Sequence, residues 1–146
     1  MAMDDPYPKY ACLLTYLGAL PFGIAMILLM NGVSQERVSY VLCAYGAIIV
    51  SFICGIHWGI SMKHQEKKPT WLLASSNGIT LVSWGCMILP SRPIALMTLG
   101  FCFFFLLLID QRLYTLNQTD GWYIRMRWRV TGLVILSLAV SVIAVS

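Results

Sequence analysis

Residues 38–62, VSYVLCAYGAIIVSFICGIHWGISM, form an apolar run that contains no acidic side chain, no lysine and no arginine. A helix rises about 1.5 Å per residue, so about 20 apolar residues cross a hydrocarbon core about 30 Å thick. Lipid offers no hydrogen-bond partner to an open backbone amide, whereas a helix satisfies these groups internally. The stretch therefore predicts a transmembrane helix.

Four further apolar runs meet the same test, at about residues 10–30, 71–89, 94–109 and 128–145. The run at residues 94–109 is the shortest, and an extension past Asp110 that includes Leu113 and Tyr114 stays open. The segments between the runs are too short for a separate folded unit. The fold class is therefore predicted as all-α, an integral membrane bundle of about five transmembrane helices. Residues 1–146 are predicted to form a single transmembrane helical domain.

The overall composition supports a membrane protein. Hydrophobic residues make up 59% of the chain and charged residues 11%, whereas ordinary soluble domains have about 45–50% and about 25%. The mean hydropathy of +0.76 agrees with this bias. A soluble fold of this length has no interior large enough for so much apolar surface, and this excludes a soluble globular domain.

Lysine and arginine are distributed unevenly between the two ends of the predicted spans. Five spans place eight of them on one side, namely Lys9, Lys63, Lys67, Lys68, Arg112, Arg125, Arg127 and Arg129. The other side holds only Arg37 and Arg92. Because short cytoplasmic loops carry the excess of positive charge, the amino terminus is predicted to face the cytoplasm, or a mitochondrial matrix, and the carboxy terminus the opposite compartment. The net charge of +4 then reflects topology, and nucleic acid is not an expected partner.

Three polar side chains lie at membrane depth in the predicted spans, namely His57, Asn77 and Asp110. Counting residues from the basic ends of their helices places all three within about 10 Å of the basic face. Groups of this kind are costly in lipid, and they therefore mark a candidate functional site. The full predicted polar cluster comprises His57, Trp58, Asn77, Asp110, Trp122, Tyr123 and Arg127.

Two interpretations of this cluster stay open. In the first, His57 and Asp110 are interhelical contacts, and the aromatic residues are ordinary anchors at the membrane interface. In the second, the imidazole and carboxylate hold a proton or orient the polar head of a ligand. The neighbouring segment 121–129, which interleaves aromatic and basic residues, is expected to lie in the headgroup layer.

Small side chains recur at every fourth position in the first two predicted spans. The two ladders are Ala11, Thr15, Ala19 and Gly23, and Ala47, Ser51, Gly55 and Gly59. Helices in lipid associate through close approach of small side chains. The pattern therefore predicts that the first two helices pack tightly together.

Several chemistries are not expected. A bis-histidine haem needs a second intramembrane histidine, and His64 falls in a polar loop. Both glutamates, Glu36 and Glu66, also lie in loops, and the five cysteines have no ligand-like spacing, so neither a metal site nor a cofactor is predicted. The chain has no GxSxG motif and no Gly-rich phosphate loop. We therefore expect no catalytic residues and no enzyme.

Four short stretches carry a resemblance to a known family. They are residues 17–22 (LGALPF), 45–49 (YGAII) and 51–59 (SFICGIHWG), and Trp122-Tyr123 with Arg127 and Thr131. Together they resemble an uncharacterised multi-pass membrane family, a domain of unknown function, that includes mitochondrial transmembrane protein 69 and many short proteobacterial proteins. The resemblance implies a bacterial inner membrane, or alternatively a mitochondrial inner membrane, and it implies no established activity.

Three functions are compatible with these patterns. The first is a non-enzymatic accessory or assembly protein of a membrane complex, in contact with a membrane-protein partner or a second copy of itself. The second is a bundle that binds a small apolar ligand, such as a quinone, tetrapyrrole or lipid, at a site centred on His57. The third is a proton-coupled transporter that uses His57 and Asp110. The lipid bilayer is an expected partner in all three.

The predicted orientation is testable with reporter fusions in a bacterial host. Alkaline phosphatase fused after Val33 is expected to be active, because that loop lies outside the cytoplasm in the predicted topology. The same enzyme fused after Lys67 is expected to be inactive. The opposite activities would reverse the orientation, and equal activities would contradict the single predicted span between the two fusion sites.

Overall fold

The computed structural model describes residues 7–63 and 70–146. Within these ranges the chain forms five α-helices and no strand: α1 (Tyr7–Met30), α2 (Gln35–Lys63), α3 (Thr70–Ile88), α4 (Arg92–Thr115) and α5 (Gly121–Val145). Each helix is long enough and apolar enough to cross a membrane. Large apolar side chains are exposed on the outside of every helix, as contact with lipid requires. The predicted all-α membrane bundle is confirmed.

Two helix ends differ from those expected from hydropathy. The helix α4 continues beyond residue 109 to Thr115, which agrees with the longer fourth span through Leu113 and Tyr114. The helix α5 begins at Gly121, before the predicted start at residue 128. Hydropathy ends a span at charged residues, but Asp110 and Arg127 bind each other inside the bundle. They therefore belong to the helices.

The predictions that concern His64, Glu66, Lys67 and Lys68 lie outside the described residues.

The helices α2 and α4 are the most enclosed. The most extensive contacts are those of α2 with α3, of α4 with α5, and of α1 with α5, while α2 also contacts α4 and α1. The buried core between them includes Phe22, Leu42, Val50, Leu99, Phe103, Leu106, Val134 and Leu138. These contacts place α2, α4 and α5 around a shared interior, and the polar residues of the candidate site lie there.

One glycine permits the close approach of α2 and α4. A β-carbon added to Gly46 would overlap the side chain of Leu99 on α4. Leu99 itself is completely buried. Small residues let neighbouring helices in lipid approach closely, and Gly46 does so here.

Aromatic contacts attach α1 to this interior. The ring of Phe22 lies edge-on to Tyr45 of α2 and to Phe103 of α4, with centroid distances of 5.4 and 5.6 Å. The Tyr45 hydroxyl donates a hydrogen bond of 2.8 Å to the Gly18 carbonyl of α1. Phe22 thereby joins three helices.

The predicted packing of the two small-residue ladders is wrong. In α2, Ser51, Gly55 and Gly59 are exposed, and no described atom lies within 4 Å of a β-carbon built on either glycine. The helix α1 packs mainly against α5. The reason is helical phase, since the face of α2 that carries Ala47 and His57 turns inward, and the rest of the ladder lies on another face.

Replacement of Gly46 by alanine tests the α2–α4 contact. Because the new methyl group would overlap Leu99, we expect Gly46→Ala to lower the free energy of unfolding by about 1–3 kcal/mol. Thermal unfolding in mild detergent would measure the change. Gly55→Ala is the matched control, since that position is open, and it is expected to have little effect. Equal stability of both variants would contradict the close contact.

Candidate polar site in the membrane

Three side chains from three helices meet inside the bundle. His57 of α2 places its Nε2 atom 2.9 Å from Oδ1 of Asp110 on α4. Arg127 of α5 donates from Nε to the other carboxylate oxygen, Oδ2, at 2.5 Å. His57 and Asp110 have no exposed surface, and Arg127 is 5% exposed. The structure therefore brings His57 and Asp110 together and adds a cation to the pair.

A fourth side chain completes the surroundings of the carboxylate. The Tyr123 hydroxyl donates to Oδ1 of Asp110 at 3.4 Å. Tyr123 and Arg127 are four residues apart on α5, so they lie on one face of that helix, and Thr131 continues the same series. Asp110 thus receives donors from two neighbouring helices. We refer to His57, Asp110, Tyr123 and Arg127 as the Asp110 cluster.

The position of the cluster along the membrane normal follows from helix length. His57 lies six residues before the end of α2, Asp110 five residues before the end of α4, and Arg127 six residues after the start of α5. At about 1.5 Å per residue, all three lie about 8–9 Å from the same end of the bundle. This is the depth expected from the sequence, at the end that carries most of the basic residues.

The cluster balances its charges internally. An isolated carboxylate in a low-dielectric interior costs much free energy, and the adjacent Arg127 guanidinium offsets that cost. Because an ionised carboxylate only accepts hydrogen bonds, its contact with His57 requires a proton on Nε2, and the imidazole donates the hydrogen bond. In the neutral tautomer of the imidazole Nδ1 is then an acceptor, and the opposite charges of Asp110 and Arg127 offset each other.

Three buried polar atoms of this region have no hydrogen-bond partner within residues 7–63 and 70–146. They are Nδ1 of His57, Nη2 of Arg127 and Oγ1 of Thr131. An acceptor, a donor and a hydroxyl able to do both are therefore available. A buried polar atom without a partner is costly, so water or the polar group of a ligand would be stabilised beside them.

Two of the predicted aromatic residues occupy different environments. The Trp122 ring lies edge-on to Tyr123, with a centroid distance of 6.1 Å, and its Nε1 donates to Asp120 at 3.2 Å. Trp122 thus supports the cluster through Tyr123. Trp58, although next to His57 in sequence, is 39% exposed on the outside of the bundle. Its position suits an interfacial anchor.

Asn77 does not join the Asp110 cluster, and this corrects the predicted set of site residues. Its side chain is exposed on α3, and it makes no hydrogen bond with any residue that the structure describes. The buried face of α3 contains Leu72, Ser76 and Ser83. Asn77 is one residue beyond Ser76, so it is turned about 100° away from that face.

Sequence reasoning missed two further contacts at this end of the bundle. The Arg112 guanidinium lies 4.8 Å from the centre of the Trp71 ring, which links α4 to α3. Trp128 donates from Nε1 to Oε1 of Gln111 at 3.0 Å, which links α5 to α4. Only the interfacial depth of these residues was visible in the sequence, because pairing depends on how the helices are rotated.

The described residues were also compared with the arrangement that a bound metal ion needs. Within the described ranges, no group of three histidine, cysteine, aspartate or glutamate side chains is arranged to hold a metal ion. In the Asp110 cluster the carboxylate is already bound by an arginine and a histidine. The contacts made there are hydrogen bonds and charge pairing.

Five apolar helices around a buried ionic cluster define a multi-pass integral membrane protein. The chain belongs to a family of proteins of unknown function, DUF3429, whose sequence profile matches residues 7–143. This confirms the resemblance inferred from the sequence.

Two curated relatives are both called transmembrane protein 69. The protein from Xenopus tropicalis is 30% identical over 145 residues, covering 93% of this chain and 54% of its own length. The protein from Mus musculus is 28% identical over 142 residues, covering 93% and 56%. The chain therefore spans about half the length of these relatives. No solved structure matches it.

Removal of the carboxylate charge tests the role of the cluster in stability. Asp110→Asn leaves Arg127 buried without a counter-ion, and we expect a loss of about 3–5 kcal/mol. Thermal unfolding in mild detergent or nanodiscs would measure this loss. The exposed Asp120 provides the control, since Asp120→Asn is expected to change stability by at most about 1 kcal/mol.

A double variant separates the charge imbalance from a general packing defect. Asp110→Asn combined with Arg127→Gln removes both charges, so part of the lost stability is expected to return. If Asp110→Asn unfolds at the wild-type temperature, the cluster does not stabilise the bundle.

Proposed function

We propose that this protein is a non-enzymatic accessory or assembly protein of a membrane complex. The observation that carries the proposal is the closure of the Asp110 cluster. Both carboxylate oxygens are bound by side chains of other helices, and His57 and Asp110 have no exposed surface. A group that acts on a substrate must reach it within hydrogen-bond distance. A closed, charge-balanced cluster instead joins α2, α4 and α5.

The outer surface of α2 supports a partner in the membrane. Ser51, Gly55 and Gly59 are exposed at intervals of four residues, and the space beside both glycines is open. A face of this shape permits close approach of another helix, which is how helices associate where lipid removes the hydrophobic effect. The bundle would then present a rigid surface while its charges stay inside.

We place the protein in the inner membrane of a bacterium, with a mitochondrial inner membrane as the alternative. Helical spans support this location, because outer-membrane proteins are typically barrels. The excess of lysine and arginine at one end of the bundle suits insertion with that end in the cytoplasm or matrix. The relatives from frog and mouse are called transmembrane protein 69, and that name fits a membrane location for the family.

A second candidate function is the binding of a small ligand with a polar head, such as a quinone, tetrapyrrole or lipid. One observation favours it, namely the unpartnered atoms Nδ1 of His57, Nη2 of Arg127 and Oγ1 of Thr131. A ligand hydroxyl would donate to Nδ1, and a ligand carbonyl would accept from Nη2. The head would then lie beside the Asp110 cluster rather than in contact with its carboxylate.

A purification in mild detergent distinguishes the two functions. Wild type and His57→Ala would be compared by native mass spectrometry and by absorbance for bound small molecules. Under the accessory function neither preparation carries a ligand, and wild type co-purifies with a membrane protein in fixed stoichiometry. A small molecule that is present on wild type and absent from His57→Ala would establish ligand binding and refute the accessory function.

Exposed glycines provide matched variants for the same experiment. Gly55→Ile adds a large side chain to the exposed face of α2, so the partner is expected to be lost. Gly132→Ile makes the same change at an open, exposed position on α5 and is expected to retain it. If both variants keep or both lose the partner, the exposed face of α2 is not the binding surface.

A further inference from the structure

The unpartnered atoms beside the Asp110 cluster form a chemically matched set. Nδ1 of His57 accepts a hydrogen bond, Nη2 of Arg127 donates one, and Oγ1 of Thr131 does either. The three residues are only 0%, 5% and 1% exposed, so the set is enclosed by the bundle. None of the three atoms has a hydrogen-bond partner among residues 7–63 and 70–146. A small molecule that both donates and accepts would satisfy all three.

The set lies between two helices that touch little. His57 belongs to α2, whereas Arg127 and Thr131 belong to α5. Of the described helix pairs in contact, α2 and α5 have the least extensive contact. Arg127 and Thr131 are four residues apart and share one face of α5, and Arg127 and His57 bind the two oxygens of one carboxylate. These relations bring the three side chains together where direct packing of α2 on α5 is sparse.

The side chains do not satisfy one another. Nη2 of Arg127 is a donor and Nδ1 of His57 an acceptor, yet no hydrogen bond joins them. Leaving three buried polar atoms without partners costs more free energy than ordering a water molecule that binds them. Water donates two hydrogen bonds and accepts two, and buried waters typically make about three. We propose that water is bound between His57, Arg127 and Thr131 as a fixed part of the bundle, and that it joins α2 to α5.

Two features favour water over the polar head of a larger ligand. A quinone, tetrapyrrole or lipid must extend an apolar body away from the site, whereas the residues of the set are buried. Clefts of about 550 and 330 Å³ are lined by residues of the opposite end of the bundle, such as Arg92 and Ile143, so neither opens onto the set. The water site rests on the closed cluster of the proposed accessory function, because an open cluster would exchange its water with bulk solvent.

NMR spectroscopy of the full chain in nanodiscs tests the proposal. In wild type, water is expected to give cross-peaks to the His57 ring proton between the two nitrogens and to the Thr131 methyl group, with the sign that marks long-lived bound water. The nitrogen-15 shift of His57 Nδ1 is expected to be that of an unprotonated nitrogen that accepts a hydrogen bond. Replacement of the solvent by D₂O is expected to remove both cross-peaks, whereas cross-peaks from the C–H protons of a ligand would stay.

Threonine variants supply the matched comparison. Thr131→Val keeps the shape of the side chain and removes its hydroxyl, so the water cross-peak at His57 is expected to lose about half of its intensity or more. Thr131→Ser keeps the hydroxyl and is expected to retain the cross-peak. The control is Thr15→Val, which removes a hydroxyl that already donates to the Ala11 carbonyl at 2.8 Å and is expected to leave the signal unchanged. Thermal unfolding of each variant would verify that the bundle still folds.

Four outcomes overturn the proposal. The first is a folded wild type without either water cross-peak, and the second is a His57 whose Nδ1 carries the proton. The third is a Thr131→Val variant with an undiminished water cross-peak at His57. The fourth is a small molecule, found by native mass spectrometry, whose C–H protons contact His57 in D₂O, which would establish ligand binding at this place.

The water site and the accessory function fail separately. A wild type that shows the water cross-peaks and has no membrane-protein partner in any preparation keeps the water site and refutes the accessory function. A wild type that co-purifies with a partner and lacks the water cross-peaks keeps the accessory function and refutes the water site.

Discussion

A charge inside a hydrocarbon layer must be neutralised at its own depth, and this constraint fixes the arrangement of the bundle. Asp110 satisfies this constraint by accepting hydrogen bonds from His57 of α2 and Arg127 of α5. Each contact requires a particular rotation and height of its helix. The three central helices are therefore held in register by a few polar atoms, whereas the apolar core around them would tolerate small shifts between helices.

Depth is the quantity that the sequence determines well. The rise per residue of a helix is fixed, so counting from the basic ends placed His57 and Asp110 at one level, and the structure brings them into contact. Rotation about the helix axis is set by packing against other helices, which counting does not include. Asn77 has the right depth and the wrong rotation, and it therefore lies outside the cluster. Ser51, Gly55 and Gly59 face outward for the same reason.

The misplaced helix ends have a related cause. Hydropathy assigns a fixed free-energy cost to each charged residue. The predicted fourth span therefore ends near Asp110, and the predicted fifth span begins only after Arg127. The free-energy cost of placing a charged residue in the membrane falls when two opposite charges meet, because their interaction offsets the cost of desolvation. Tyr123 and Arg127 were identified as site residues, but they were assigned to the membrane surface instead of the first turns of α5. Pairing across helices, rather than composition, decides where these spans end.

The distribution of the cluster over the chain also affects how the protein is made. His57 and Asp110 leave the ribosome before Arg127, which lies on α5. Chains emerge from the amino terminus, so a nascent chain that has inserted four helices holds a carboxylate with no arginine beside it. Only the arrival of α5 completes the electrostatic balance. A truncated or stalled product thus carries an uncompensated anion in the bilayer, and cellular quality control has a physical basis for distinguishing it from the finished protein.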